Sequence, residues 1–126
     1  MSRTFAAIAA LTFIFASSAA SAQMLKTAET PKGKAFVDAK GMTLYTFDKD
    51  AGGKSTCNGP CAENWPPLAA ADDAKPTADM TIVVRDDGKK MWAYKGKPLY
   101  TFKQDTAPGE IKGDGFLNGA WHMAKP

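Results

Sequence analysis

The amino-acid sequence predicts a small single domain of the mainly β class, built from two β-hairpin-based repeats with one short helical turn after a cysteine loop. Two observations carry this prediction. An eleven-residue motif occurs twice at a fixed spacing, as expected of a repeated supersecondary unit. Short runs with strand-like alternation are separated by turns that contain glycine. At 126 residues the chain has the length of one domain.

Residues 1–22 have the features of a secretory signal peptide. Arg3 precedes the apolar run Phe5–Ala16, and Ala20-Ser21-Ala22 matches a small-x-small cleavage site. The apolar run is short for a membrane span and is diluted with alanine and threonine. We therefore expect cleavage near Ala22 and a soluble periplasmic or secreted protein with no membrane span.

The first repeat is predicted over residues 35–68. It follows a polar segment at 23–34 that has no apolar period, which we expect to be a flexible leader. Ala35–Ala39 is predicted as a strand, and Met42–Phe47 as the strand that returns after a Lys-Gly turn. Later in this repeat, Pro60 suits the first position of a short helix that stops before two further prolines.

The second repeat is predicted over residues 80–126, after a linker at 69–79 that is poor in apolar residues. Met80–Arg85 is the most strand-like run in the chain, and Asp87-Gly88 is a strong hairpin turn signal. The remaining strands of this repeat are predicted at Lys90–Tyr94, at Pro98–Phe102 and around Ala120–Met123.

The repeated motif reads KGMTLYTFDKD at Lys40–Asp50 and KGKPLYTFKQD at Lys95–Asp105. Strand alternation places the tyrosine and phenylalanine of each copy on one face. We interpret these rings as a core shared by two repeats about a pseudo-twofold axis. Each aspartate then ends its strand by accepting hydrogen bonds from the loop backbone. The motif residues are Tyr45, Phe47, Asp50, Tyr100, Phe102 and Asp105.

Two other interpretations of this motif stay open. The rings could form a platform for a ligand, with the aspartates as polar anchors. Asp50 and Asp105 could also form a carboxylate pair for acid–base chemistry, although nothing else in the chain supports a glycosidase. Outside the motif, Phe36-Val37 aligns with Met91-Trp92, and Trp65 is a loose partner of Trp121.

The cysteine loop, CNGPCAENW, has no cysteine counterpart in the second repeat. Cys57 and Cys61 lie four positions apart, and in an oxidising compartment such a pair is expected to form a disulfide. A redox-active pair is less favoured, because the spacing is not CxxC and no histidine or lysine adjoins the thiols. A third interpretation adds His122 and Met123 to the two thiolates as a soft ligand set for Cu(I) or haem.

Composition and motifs argue against several functional classes. Loss of Arg3 with the signal peptide lowers the formal charge from +3 to +2, and the basic residues are scattered among acidic ones, unlike those of a nucleic-acid-binding stripe. The chain has a single histidine and no GxSxG motif, so nucleophile–base pairs are poorly supported. We expect that the protein is not an enzyme and needs no cofactor.

The combined motifs resemble a bacterial secreted repeat family, the predicted lipoproteins with a Yx(F/W/Y)xxD motif. The resemblance rests on TLYTFDKD, CNGPCAENWPPL, RDDGKKMWAYKGKPLYTFKQD and APGEIKGDGFLNGAWH, and it covers almost all of the chain after the signal peptide. It implies a small exported β-rich domain of unknown function, without catalytic residues to carry over. Many members look lipid-anchored, but no cysteine follows the apolar run here.

These observations lead to one leading functional hypothesis. We expect an exported, non-enzymatic periplasmic module that binds an unassigned ligand or protein, or acts as a scaffold, and whose shape is fixed by the Cys57–Cys61 bond. A monomer is expected. The alternative is a copper- or haem-handling protein that uses the cysteine pair with His122 and Met123.

Overall fold

The computed structural model describes residues 25–126, so the expected signal peptide and its cleavage site lie outside the described residues. Within this range the chain is mainly β, as predicted. Its elements are β1 Lys26–Thr30, β2 Gly33–Val37, β3 Tyr45–Phe47, α1 Pro60–Asn64, β4 Met80–Val84, β5 Lys90–Tyr94, β6 Lys97–Pro98, α2 Phe116–Gly119 and β7 Trp121–Met123. No helix among the described residues is long and apolar enough to cross a bilayer.

Strand β1 corrects the prediction of a flexible leader at 23–34. It pairs antiparallel with β2, from Lys26 opposite Val37 to Thr30 opposite Gly33. The sequence KTAET carries no apolar alternation, because the strand is mostly exposed. The strand therefore forms by backbone pairing with β2 and leaves little hydrophobic signal in the sequence.

The β1–β2 hairpin has a counterpart in the second repeat. Strand β4 pairs antiparallel with β5, with Thr81 opposite Ala93, and this pair corresponds to Lys26 opposite Val37. The turn at Asp87-Gly88 joins these two strands, as the hairpin signal predicts, and Gly88 has a positive φ of 85°. Each repeat thus begins with a hairpin, although only the second hairpin is apolar enough to be recognised from sequence.

The two repeats meet at the tyrosines of the motif. The backbone N–H of Tyr45 donates to the carbonyl of Tyr100 at 2.7 Å, and the N–H of Tyr100 donates to the carbonyl of Tyr45 at 2.9 Å. This reciprocal pair marks the pseudo-twofold axis. Beside it the repeats exchange segments, since β7 pairs with β3 of the first repeat and Pro67 bridges to Tyr100 of the second.

The hydrogen-bond ladder corrects the alignment of the two repeats outside the motif. Phe36 is equivalent to Trp92, rather than to Met91. The carbonyl of Phe36 accepts from the N–H of Leu44 at 2.9 Å, and the carbonyl of Trp92 accepts from the N–H of Leu99 at 3.0 Å. The first repeat has one more residue in its Lys-Gly turn, so an alignment without gaps misplaces the preceding strand by one residue.

The core on one side of the molecule is a stack of aromatic rings from both repeats. Phe47 stacks on Trp121 at 4.1 Å, Trp121 on Trp65 at 3.7 Å, and Trp65 on Phe102 at 4.0 Å between centroids. Gly113 lies against this stack, because a Cβ at that position would be 2.6 Å from the Trp65 ring. A second apolar cluster contains Phe36, Leu44, Met80, Trp92, Leu99 and Ala124.

The short helical turn follows the cysteine loop as predicted. Helix α1 begins at Pro60, directly after Gly59, whose φ is 60°. Pro60 suits this position because its missing N–H would have no helical partner in the first turn. Segment α2 is not a regular helix, because its backbone is left-handed at Leu117 and Asn118.

Candidate functional site

Each motif tyrosine binds the aspartate of the other repeat. The Tyr45 hydroxyl donates to Oδ2 of Asp105 at 2.6 Å, and the Tyr100 hydroxyl donates to Oδ2 of Asp50 at 2.7 Å. The tyrosine and aspartate of one motif copy are therefore not partners of each other. Each contact instead joins the tyrosine of one repeat to the aspartate of the other.

The second oxygen of each carboxylate holds the loop that follows it. Oδ1 of Asp50 accepts from the N–H and the hydroxyl of Thr56, both at 2.8 Å. Oδ1 of Asp105 accepts from the N–H of Lys112 at 2.9 Å. Because both oxygens of both carboxylates accept hydrogen bonds, this arrangement favours a stabilising role over acid–base chemistry.

Burial shifts the proton equilibria of these pairs. It raises the pKa of Tyr45 and of Tyr100 well above the ordinary tyrosine value, and the neighbouring aspartates raise both further. Burial also raises the pKa of Asp105, against the lowering effect of the hydrogen bonds from Tyr45 and Lys112. The tyrosines are therefore neutral hydrogen-bond donors over the physiological pH range.

One of the two pairs extends into a buried polar network. Because the Tyr100 proton points to Asp50, the Ser55 hydroxyl donates to the Tyr100 oxygen at 2.6 Å. The guanidinium of Arg85, which is buried, donates to Ser55 Oγ at 2.9 Å and to the carbonyl of Cys57 at 3.0 Å. Arg85 therefore ties the cysteine loop to the second repeat, a role that its position at a strand end does not reveal.

The structure confirms the Cys57–Cys61 disulfide, with Cα atoms 5.2 Å apart. It does not bring the four proposed metal ligands together. His122 and Met123 are neighbours on β7 and face opposite sides, the first exposed and the second buried. His122 Nε2 is 2.9 Å from Oδ2 of Asp48, and no cluster of three or more His, Cys, Asp or Glu suited to a metal occurs in residues 25–126.

The exposed side of β3 and β7 forms one wall of a cleft. Its volume is about 690 Å³, within the range of small-molecule sites. The opposing wall is the turn between β5 and β6. We call this site the lysine cleft and define it by Thr46, Asp48, Tyr94, Lys95, Lys97, His122 and Lys125.

The charged side chains of the lysine cleft are unevenly paired. Asp48 faces His122, and Asp114, which also lines the cleft, is 3.1 Å from Lys32. Burial raises the pKa of Asp114, but the hydrogen bonds from Met123 and Lys32 together hold it below its ordinary value. By contrast, the cleft lysines at 95, 97 and 125 have no carboxylate within ion-pair distance in the described part of the chain.

The lysine cleft has no chemical equivalent across the pseudo-twofold axis. Trp65 corresponds to Trp121, so Pro66 takes the place of His122 and Ala69 that of Lys125. Asp48 corresponds to Lys103, because their N–H groups bond to equivalent carbonyls, those of Ala120 and Asn64 respectively. The cleft is therefore built at positions where the two repeats differ in sequence.

Sequence reasoning singled out His122 but missed the lysines beside it. Lys95 belongs to the repeated Lys-Gly turn, which by itself accounts for its place in the motif. The signal that could have found the cleft is the contrast at equivalent positions, where lysine at 97 and 125 replaces Met42 and Ala69 of the first repeat. The contrast at 97 lies within the gapless motif, and the contrast at 125 follows once Trp65 is matched with Trp121.

Comparison with known proteins agrees with the two-repeat architecture. A family model described as a secreted repeat of unknown function matches residues 26–69 and again residues 81–125. The first match begins in β1, the strand that corresponds to β4 in the second. No curated protein and no solved structure matches the chain.

Proposed function

Because the chain belongs to the family described as a secreted repeat of unknown function, we propose that it is an exported, non-enzymatic binding module whose ligand occupies the lysine cleft. In this proposal residues 1–22 are removed near Ala22 and the protein acts as a monomer in the bacterial periplasm. The observation that carries the proposal is the cleft itself, which has a volume of about 690 Å³ and is lined by residues of both repeats.

Two features of the scaffold support a binding role. The reciprocal contacts Tyr45–Asp105 and Tyr100–Asp50 fix the position of one repeat against the other. One wall contains β3 of the first repeat and the other is formed by the second repeat, so the same contacts help to fix the distance between the walls. A preformed cleft loses less conformational entropy on binding than one that must be ordered by its ligand.

The chemistry of the candidate residues supports binding without catalysis. Both motif aspartates use their two oxygens in hydrogen bonds to tyrosines and loop N–H groups. The two cysteines are joined in a disulfide. The single histidine of the chain lies in the cleft with its side chain half-exposed, and its Nε2 is 2.9 Å from Oδ2 of Asp48.

The proposal is tested with a variant that fills the cleft. Thr46 lies opposite His122 on the β3–β7 ribbon, so Thr46→Trp should occupy the space between the walls. Thr101 is the same motif position on the other side of the pseudo-twofold axis, and Thr101→Trp is the matched control. Circular dichroism first establishes that both variants keep the wild-type fold.

Thermal unfolding is then measured against a panel of anionic, neutral and cationic small molecules. We expect at least one compound to raise the melting temperature of the wild type and of Thr101→Trp but not of Thr46→Trp, because binding to the folded state stabilises it. The bound compound should be recovered chemically unchanged. A panel without any shift, or an equal shift in Thr46→Trp, would contradict the proposal.

A further inference from the structure

We infer that the ligand of the lysine cleft is a small organic anion that carries at least two negative charges, an inference that rests on the proposed function. Lys95 lies in the β5–β6 turn, Lys97 begins β6, and Lys125 lies in the segment after β7. They surround one cleft and have no ion-pair partners among the described residues. Three such like charges repel one another, and a polyvalent anion placed between them removes that repulsion.

The carboxylates of the cleft do not cancel this charge. Asp48 and Asp114 each have a contact of their own, with His122 Nε2 at 2.9 Å and with Lys32 Nζ at 3.1 Å. If the side chains of Lys95, Lys97 and Lys125 are counted against these two paired aspartates, the cleft side chains keep a positive excess. The field inside a concave site concentrates such an excess and attracts ligands of opposite charge.

The shape of the cleft limits the size of the anion. A volume of about 690 Å³ accommodates a small molecule. Phe36 packs edge-on against the Tyr94 ring at 4.6 Å between centroids, and Lys95 Nζ lies over that ring, 5.3 Å from its centroid. Buried Met123 and Ala124 add apolar lining. A ligand with a compact carbon body and charged groups at its periphery fits these surfaces.

The use of lysine indicates the kind of charge recognition. A lysine ammonium acts as a point charge on a flexible stem, whereas arginine provides a planar fork for two-point contacts. The cleft therefore selects a ligand by the number of its anionic groups and by their approximate positions, and not by the exact geometry of each group. Carboxylate and phosphate groups both satisfy this requirement, and the experiment distinguishes them with separate probes.

The test measures binding of four probes by titration calorimetry to the wild-type protein. Citrate and fructose 1,6-bisphosphate carry several charges as carboxylates or phosphates, glucose is neutral, and choline is cationic. The test variant is Lys97→Gln with Lys125→Gln. The matched control is Lys40→Gln with Lys103→Gln, which makes the same change of net charge at two exposed lysines outside the cleft.

We expect at least one of the two anions to bind the wild type and the control with equal affinity. The test variant should bind it about 25-fold more weakly, because each lysine at about 4 Å in water contributes about fivefold to affinity. Affinity for the wild type should also fall as salt rises from about 0.01 M to about 0.15 M, because the screening length shortens from about 30 Å to about 8 Å. Citrate binding alone assigns a polycarboxylate, and bisphosphate binding alone assigns a phosphorylated ligand.

Three results would overturn the inference. Equal anion affinity in the test variant and the wild type would remove the lysines from the site. Binding of glucose or choline without binding of either anion would keep the cleft as a ligand site but reject an anionic ligand. If no probe binds and the broader panel produces no thermal shift, both the inference and the proposed function fail.

Discussion

At the scale of single residues, the tyrosine and aspartate of the motif are best understood as contacts between repeats. Within one copy, the tyrosine lies in a predicted strand and the aspartate lies just after that strand ends. In the structure, Tyr45 reaches Asp105 and Tyr100 reaches Asp50. Both residues must therefore be present in both copies, since the loss of either member in one copy leaves its partner in the other copy without a hydrogen bond.

Replacement of Tyr45 by phenylalanine tests this role. Tyr45→Phe removes the hydroxyl that donates to buried Asp105, so we expect a loss of about 1–3 kcal/mol of unfolding free energy in urea. Tyr94→Phe is the control, because the Tyr94 hydroxyl has no hydrogen bond within residues 25–126 and the change should cost less than about 0.5 kcal/mol. Equal effects of the two substitutions would show that the Tyr45–Asp105 contact adds no stability.

The raised pKa of Asp105 predicts a pH dependence of stability. The folded state holds the proton more tightly than the unfolded state does, so the stability that this proton provides is fully present below the ordinary aspartate pKa of about 4. It is lost as pH rises through the raised folded value. Unfolding free energy should therefore fall with rising pH more steeply in the wild type than in Asp105→Asn. A steeper fall in the variant would mean that the folded state prefers the charged carboxylate.

At the scale of elements, the cysteine loop is present in the first repeat and has no cysteine counterpart in the second, yet the second repeat forms hydrogen bonds to it. The disulfide closes the segment from Cys57 to Cys61 at the start of α1. Arg85, at the end of β4, donates to the carbonyl of Cys57 and to Oδ1 of Asn58. The loop is thus held covalently to its own helix and by hydrogen bonds to the other repeat, which places Ser55 correctly beside Tyr100.

Reduction of the disulfide should destabilise the protein by about 2 kcal/mol, the loop-entropy value for so short a closed segment. The measurement compares urea unfolding of the oxidised and reduced wild type, with a mass increase of two hydrogen atoms as proof of reduction. Cys57→Ala with Cys61→Ala should be at least as unstable as the reduced form, because Cys57 is fully buried. A reduced form as stable as the oxidised form would show that hydrogen bonds alone hold the loop.

At the scale of the whole molecule, each repeat contributes segments that pair with the other repeat. Strand β7 of the second repeat pairs with β3 of the first, and Pro67 of the first bridges to Tyr100 of the second. The central stacked pair, Trp65 and Trp121, takes one ring from each repeat. Neither repeat can complete a core by itself, so the molecule should unfold as a single cooperative unit.

This cooperativity has a spectroscopic readout. Two indoles that are 3.7 Å apart and tilted by only 2° should couple their transitions and give an exciton signal in the far-ultraviolet circular dichroism. We expect this signal and the β-sheet signal to disappear at the same urea concentration. Trp65→Phe should abolish the exciton signal, whereas Trp92→Phe, in the other cluster, should keep it. Loss of the exciton signal at lower urea would show that the repeats separate before they unfold.

The sequence by itself determined the features that depend on neighbouring residues. The alternation of Leu-Tyr-Thr-Phe, the Asp87-Gly88 turn and Pro60 at the start of α1 express local backbone and side-chain preferences, so they can be read in a short window. The close spacing of Cys57 and Cys61 made their disulfide predictable in the same way. The duplication of the motif further indicated two repeats with a shared core.

Only the tertiary structure decided which residues are partners. Strand β1 has little apolar pattern and exists because β2 supplies its hydrogen bonds. Tyr45 could have bonded to any nearby acceptor, and its choice of Asp105, 60 residues away, follows from the pseudo-twofold packing. The lysine cleft arises in the same way, because its two walls come from segments far apart in the chain. Such contacts depend on how the repeats pack, and local sequence preferences do not encode that packing.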